Sequence, residues 1–322
     1  MCYKDLEMNV LFFSPRFKTK RASHRLRGDL IATELNNLGY QATCSRDLPT
    51  VNADTTVVFL KGSQPDQIRQ AQSQGALTIY DVCDNKFDEK DEYEPCCAVA
   101  DIVTANSEAM STSIRQNTGR PSVVIPDPTE RPLLEPKFSP GKDINLLWFG
   151  SSASLKFVPW VEIWQKLERD IQNYQFTMVT AKSDRIHNKM RERQLRGHIH
   201  GVNFDRLHFL EWDWDLQGRL LAETDIVLIP VFTDNYRTET KSANRLIDGI
   251  MSGKFVITTP LASYVEFDPY TWQQDWTQGI RWAREHPGKT VDRIAQGQNY
   301  VQQHYTPAII AQKWQEVING KS

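Results

Sequence analysis

Short apolar runs alternate with helix-length segments along almost the whole chain, and this alternation restricts the fold more than any other feature. In the first half the predicted strands are Asn9–Phe13, Thr56–Leu60, Leu77–Tyr80, Asp101–Thr104 and Ser122–Ile125. Each is a short run carrying Val, Ile, Leu or Phe, the pattern of strands buried on both faces of a parallel sheet. A helix predicted over Arg25–Leu38 aligns Leu26, Leu30, Ile31, Leu35 and Leu38, and Gly39 follows as its C′ residue. Such an order argues for right-handed βαβ units in an open sheet.

Between Ile125 and Gly141 the composition shifts. Pro126, Pro128, Pro132, Pro136 and Pro140 make a stiff, extended linker. A second α/β series then begins, with strands at Asn145–Phe149, Phe176–Thr180, Leu207–Leu210, Ile226–Pro230 and Phe255–Thr258. Its helices are predicted near Lys156–Ile171, Gln217–Ala222, Ser242–Ser252, Trp272–Glu285, Val291–His304 and Pro307–Asn319. The length of 322 residues suits two domains of roughly 150 each. No internal repeat is visible.

The net charge of −2, from 38 Lys+Arg against 40 Asp+Glu, excludes a strongly basic nucleic-acid binder and an acidic disordered tail. Cys2, Cys44, Cys83, Cys96 and Cys97 lack C-x-x-C spacing and read as free thiols of a reducing compartment. Lys4, Asp5 and Glu7 interrupt the N-terminus where a signal peptide would be apolar. No run reaches the roughly 18 apolar residues of a membrane span. A cytoplasmic protein is expected, with peripheral contact at the inner membrane face left open.

Ser14-Pro15-Arg16-Phe17-Lys18-Thr19-Lys20-Arg21 follows the first strand without a glycine, and no Walker A loop exists. This takes most of the weight from dinucleotide-oxidoreductase and P-loop readings. Gly150-Ser151-Ser152-Ala153-Ser154 reads as either a tight strand-to-helix turn or a diphosphate site, with Lys156 one turn on. Lys241, Asn244, Arg245 and Asp248 fall at i, i+3, i+4 and i+7. On a helix they form one polar stripe, suited to phosphate at one end and sugar hydroxyls at the other, or to plain solvation.

In their order along the chain, several stretches resemble the GT-B glycosyltransferases, and most closely the retaining glycosyltransferase family four (glycosyl transferases group 1). Ala22-Ser23-His24-Arg25-Leu26-Arg27 is similar to the opening of that family's first helix, and Gly39-Tyr40 to its end. Ile79-Tyr80-Asp81-Val82-Cys83-Asp84 resembles the acidic strand end before the interdomain cleft. Ser107-Glu108 and then Val124-Ile125-Pro126-Asp127-Pro128 resemble the approach to the linker. Gly150 with Lys156 has the spacing of the G-R…K element. Asp248, Gly253 and Val256-Ile257 match the element E-A-x-A-x-G-x-P-V-I.

The resemblance implies an α/β GT-B fold, two Rossmann-like α/β/α domains facing a central cleft. The acceptor-side domain would span 1–139 and the nucleotide-sugar domain 140–306, with a helix in 307–322 crossing back to the first. The implied activity is metal-independent hexosyl transfer with retention, from a nucleotide-diphosphate sugar to a glycan, lipid-linked or other acceptor. It implies no tightly bound cofactor and a place in polysaccharide or glycoconjugate biosynthesis. In this reading Lys156 and Lys241 neutralise the leaving diphosphate, the dominant catalytic contribution in such chemistry. Gly150, Ser151, Ser152, Trp212, Thr240, Asn244, Arg245 and Asp248 hold the donor, and His24, Arg25, Asp81 and Asp84 face the acceptor.

Departures from the family pattern keep two rivals in play. Thr240 stands where the family has a glutamate, with Glu239 one residue out of register, and Ser151 replaces an arginine. A non-catalytic nucleotide- or glycan-binding protein or partner subunit is one rival, and a nucleotide-sugar epimerase of GT-B fold the other. Asp213-Trp214-Asp215 has the letters of a metal motif but sits where the resemblance places the base, and is read as base site or cleft rim. Arg16, Lys18, Lys20, Arg21, Arg25 and Arg27 make a basic cluster around His24, either an anion-binding face or a solvated loop. Asp81 and Asp84 either contact the acceptor or cap strand ends.

Overall fold

A computed structural model describes residues 8–18, 21–87, 93–231 and 236–320. The chain divides into two compact units, each built on its own parallel sheet. The first comprises Met1–Glu130, Glu239–Ser242 and Gln303–Ser322, and the second Arg131–Thr238 and Ala243–Gln302.

In the first unit β1 (Asn9–Phe13), β2 (Gln41–Ser45), β3 (Thr55–Phe59), β4 (Leu77–Val82), β5 (Ile102–Ala105) and β6 (Val123–Val124) lie in the order β2-β1-β3-β4-β5-β6. Every pair is parallel. Successive side chains leave a strand on opposite faces, so the apolar runs feed two cores. Leu11, Phe13, Val57 and Phe59 pack with Ile68, Met110 and Ile114 on one face. Val10, Phe12 and Val58 pack with Ile31, Leu35 and Trp314 on the other. Trp314 belongs to the C-terminal helix Pro307–Ile318, which Thr306 caps, and its indole meets the Phe12 ring edge-on at 5.7 Å.

Two local departures from the sequence expectation have physical causes. Strand β2, Gln-Ala-Thr-Cys-Ser, is an edge strand with only Ala42 buried, so no apolar run declares it. The first helix opens at Ala22 and widens into a π turn at Arg25–Asp29 before Leu30–Asn37. Phe17 packs against this turn so closely that a Cβ on Gly28 would stand 2.9 Å from its ring.

In the second unit β7 (Ile144–Phe149), β8 (Tyr174–Thr180), β9 (Leu207–Glu211), β10 (Ile226–Ile229) and β11 (Phe255–Thr258) form a parallel sheet of order β11-β10-β7-β8-β9. Trp148, Trp160, Trp164 and Phe176 interlock in its core through edge-on and stacked contacts. The helix predicted over Lys156–Ile171 is instead a 3-10 turn, Ser152–Phe157, then Pro159 and a helix Trp160–Asp170. Trp272 pairs with Ile257 as a β-bridge, and the helix after it starts only at Trp276, capped by Asp275.

From Arg131 onward the proline-rich stretch is fastened to the second unit. Arg131 stacks on Trp214 at 3.6 Å. Leu134 N–H donates to the Met251 carbonyl at 2.9 Å, Lys137 N–H to that of Gly253 at 3.2 Å, and the Gln298 amide to that of Leu134 at 2.7 Å.

Candidate functional site

In an open parallel sheet, ligands bind beyond the carboxyl ends of the strands, where the strand order reverses. In the second unit this reversal lies between β7 and β10, and β7 runs straight into Gly150-Ser151-Ser152. Gly150 N–H donates to the Val179 carbonyl at 3.1 Å, which tightens the turn. A Cβ on Gly150 would stand 3.0 Å from the Trp148 ring and 3.4 Å from Arg245 Nη1. The missing side chain therefore leaves room chiefly for the Trp148 indole, with the arginine tip at ordinary contact distance.

Arg245 arrives from the helix Asn244–Met251. Its Nη1 donates to the Phe149 carbonyl at 3.4 Å, and its guanidinium lies 5.9 Å from the centre of the Trp148 ring. Tyr264, buried on the 3-10 turn Ala262–Phe267 after β11, borders the same arginine. Burial pushes its phenol pKa up and the guanidinium opposes that shift. Asp248 follows Arg245 by one turn and is also buried. Tyr264 has no motif around it in the sequence; its place just beyond a strand's carboxyl end was the available signal.

The expected four-residue stripe does not form as one helical face. The helix begins at Asn244, so Lys241 precedes it, and Thr240 is buried in the turn before. Both belong to the segment Glu239–Ser242, which clusters with the first unit. Asn244 Oδ1 accepts the Arg245 N–H at 2.7 Å in the helix's first turn. Ser151 is exposed, with its hydroxyl 3.0 Å from that of Ser154, and Ser152 is half-buried. Lys156 lies in the 3-10 turn, and its side chain falls outside the described residues. Trp212 ties the end of β8 to the next helix: its N–H donates to the Thr180 carbonyl at 3.1 Å and its indole to Gln217 Oε1 at 2.7 Å. Asp213 is the N-cap of the helix Trp214–Glu223, its Oδ1 accepting the N–H groups of Asp215 and Leu216.

In the first unit the strand order reverses between β1 and β3. Leu60 N–H donates to the Phe13 carbonyl at 2.8 Å, and Ser14 Oγ to that of Lys61 at 2.8 Å. Lys61 pairs with the half-exposed Asp84. His24 is buried, stacks on Phe17 at 4.8 Å, and accepts the Lys18 N–H on Nδ1 at 2.8 Å. That bond assigns the ring proton to Nε2. Burial, with the charges of Arg21, Lys61 and Arg46, lowers its pKa to about 4.

Arg25 grips Glu130 with Nε and Nη2, at 2.5 and 2.7 Å. Arg27 is not part of the exposed basic face. It is buried, and donates to both oxygens of Asp81 at 2.6 Å, to Asp127 Oδ1 at 2.9 Å and to the Ile125 carbonyl at 2.8 Å. Burial opposes its charge, but Asp81 and Asp127 outweigh that and raise its pKa. Thr104 adds a hydroxyl donor to Asp81 Oδ1 at 2.7 Å. Asp81 thus fastens the first helix to β4 in the interior. Arg16, Lys18 and Arg21 are exposed, and Lys20 lies outside the described residues.

Among the described residues no group of three or more His, Cys, Asp or Glu is placed to hold a metal ion, and no helix is long and apolar enough to cross a membrane.

No family model matches the chain, and no curated protein matches it in sequence. Solved structures do match it in fold. Anabaena HepE, in complex with UDP and glucose, superposes with a TM-score of 0.70 at 14% identity, over 97% of this chain and 99% of that one. The lipopolysaccharide outer core galactosyltransferase WaaB gives 0.66 at 12% identity, over 98% and 100%. The pneumococcal O-GlcNAc transferase GtfA, in complex with UDP and GlcNAc, gives 0.59 at 11% identity, over 84% and 57%. With two parallel-sheet units of six and five strands, these likenesses establish a GT-B fold of two Rossmann-like domains.

Proposed function

We propose that the chain is a retaining glycosyltransferase that takes a uridine-diphosphate sugar and moves its hexosyl group to a glycan or lipid-linked acceptor. The observation that carries the reading is the reach of Arg245 Nη1 to the Phe149 carbonyl at 3.4 Å, beside the Gly150 turn at the strand-order reversal of the second unit. A glycine turn offers backbone N–H groups at Ser151 and Ser152, and the guanidinium beside it is a planar, permanently charged partner for phosphate oxygens. Charge developing on the departing diphosphate is stabilised there. Asp248, one turn along the helix, is assigned to the ribose hydroxyls, and Lys156 and Lys241 to further diphosphate charge on the strength of the family resemblance. UDP as the carrier rests on its presence in HepE and GtfA, which share the fold. Transfer without a required metal is supported by Asp213, whose Oδ1 is engaged in a helix cap.

Thermal shift with UDP, GDP, ADP and CMP, with and without EDTA, tests the donor site, because a ligand of the native state raises Tm. UDP alone should raise it, insensitive to EDTA. Incubation with UDP-glucose and UDP-galactose, followed by NMR of the product anomer, then tests transfer and retention. UDP binding without turnover would favour the non-catalytic reading, to which the buried Thr240 at the glutamate position points. Conversion of the donor without an acceptor would favour epimerisation. No response to any nucleotide would sink the donor site.

A further inference from the structure

The helix Ser183–Leu195 carries a feature that neither the donor nor the acceptor reading uses. Arg185, Lys189 and Arg193 follow one another at spacings of four, which sets them in one row along one helical face; Lys182, in the left-handed region at φ +62°, and Arg196 flank the helix as its cap residues. All five are exposed. At 1.5 Å per residue the three-cation row is about 12 Å long. The back of the helix is what holds it: Ser183 is buried, Met190 and Gln194 are half-buried, and His187 stacks on Phe209 of β9 at 4.9 Å. Arg185, Lys189 and Arg193 therefore face outward along the helix, with Lys182 and Arg196 exposed at its two ends.

One neighbouring acid, Glu192, shares the face, three residues after Lys189. It pairs with Arg196 at the helix end, and Asp205 stands 3.8 Å from Arg191, which lies off the row. Glu211 accepts the backbone N–H groups of Lys182 and Ser183, and Asp184 lies on another face. Residues 182–196 hold six cations and two acids in a chain whose net charge is −2. The charge is concentrated here.

We propose that this row is a docking surface for an anionic lipid leaflet. A straight, fully exposed line of cations can meet a plane of lipid headgroups with all its members at once, and each cation near such a surface adds to the attraction. The proposal does not depend on the glycosyl-transfer reading. Its test is sedimentation of the whole chain with vesicles of phosphatidylcholine alone and of phosphatidylcholine with an equal part of phosphatidylglycerol. Binding is expected only to the anionic vesicles and should weaken as salt is raised. Arg185→Glu/Lys189→Glu/Arg193→Glu should weaken it at least about a hundredfold while the thermal shift with UDP is retained. Arg193→Gln alone should weaken it roughly fivefold, which keeps the test alive if the triple variant fails to fold. Equal binding by a folded triple variant, or no preference of the native chain for anionic vesicles, would overturn the proposal. So would tighter binding to heparin or duplex DNA than to the vesicles, which would make the partner a soluble polyanion.

Discussion

Arg27 holds Asp81 with two parallel hydrogen bonds of 2.6 Å in a place where neither side chain reaches solvent. One end of the pair is on the π turn of the first helix and the other on β4. Asp127 and the Ile125 carbonyl complete the guanidinium's partners, and Trp314 of the C-terminal helix lies 5.6 Å from it. The first helix, the central sheet, the chain after β6 and the last helix thus meet at one buried cation.

Removing one member of a buried ion pair leaves an uncompensated charge, at a cost of about 3–5 kcal/mol. Arg27→Ala should therefore lower unfolding free energy by that amount in urea titration. Arg27→Met/Asp81→Leu/Asp127→Asn should recover much of the loss, since replacing every charged member of the cluster leaves no stranded charge. If the triple variant is no more stable than Arg27→Ala, the cluster is not the unit at work.

His24 makes the stability of the first unit depend on acid. Its folded pKa of about 4 lies below the ordinary 6.5, so between these values the unfolded chain binds a proton that the folded one does not. The histidine's contribution is complete above pH 6.5 and is lost as pH falls through 4, up to roughly 3 kcal/mol in all. Asn at this position keeps an acceptor for the Lys18 N–H without titrating. The difference in unfolding free energy between native chain and His24→Asn should slope between pH 6.5 and 4 and be flat above. A difference that stays constant over that window would contradict the assignment.

Both sheets were legible because most of their parallel strands are buried, continuous apolar runs, and the edge strands β6 and β9, though little buried, still carry Val123-Val124 and Leu207, Phe209 and Leu210. What escaped was written in other terms. β2 is polar because it is an edge strand with one buried residue, and Trp272 looked helical because its bridge to Ile257 is a single pairing. At the proposed donor site, the sequence pointed to Gly150, Asn244, Arg245 and Asp248, but spacing alone could not say where the helix began. It therefore credited Lys241 with a helical position that the Asn244 start denies. Tyr264 and the burial of Arg27 arise from contacts between segments distant in sequence, which no local pattern records.

Gly253 fixes the proline-rich stretch to the second unit. Its φ is +71°, and a Cβ there would stand 2.2 Å from the Glu135 carbonyl oxygen. Gly253→Ala should cost about 2–4 kcal/mol, combining left-handed strain with displacement of the Glu135 backbone. Loss of the bond from Lys137 N–H to Gly253 O should accompany it and expose residues 131–140 to limited proteolysis. A variant cut no faster than the native chain would show that Arg131 on Trp214 and Gln298 on Leu134 suffice to hold the stretch.

Arg245 is the sharpest test of the proposed donor site, because among the described residues its guanidinium makes a long 3.4 Å bond to the Phe149 carbonyl and borders Trp148 and Tyr264. Little of the fold's stability should hang on it, whereas a diphosphate would receive charge-assisted bonds of about 1.5–3 kcal/mol. Arg245→Ala should weaken UDP binding by roughly tenfold to a hundredfold in calorimetry, with Tm in the absence of ligand little changed. Arg245→Lys keeps the charge but not the planar fork, and should fall between the two if the contact is bidentate. UDP affinity unchanged in both variants would remove Arg245 from the site and leave the diphosphate to Lys156 and Lys241. A collapse of Tm in Arg245→Ala would instead mark the residue as part of the core around Trp148.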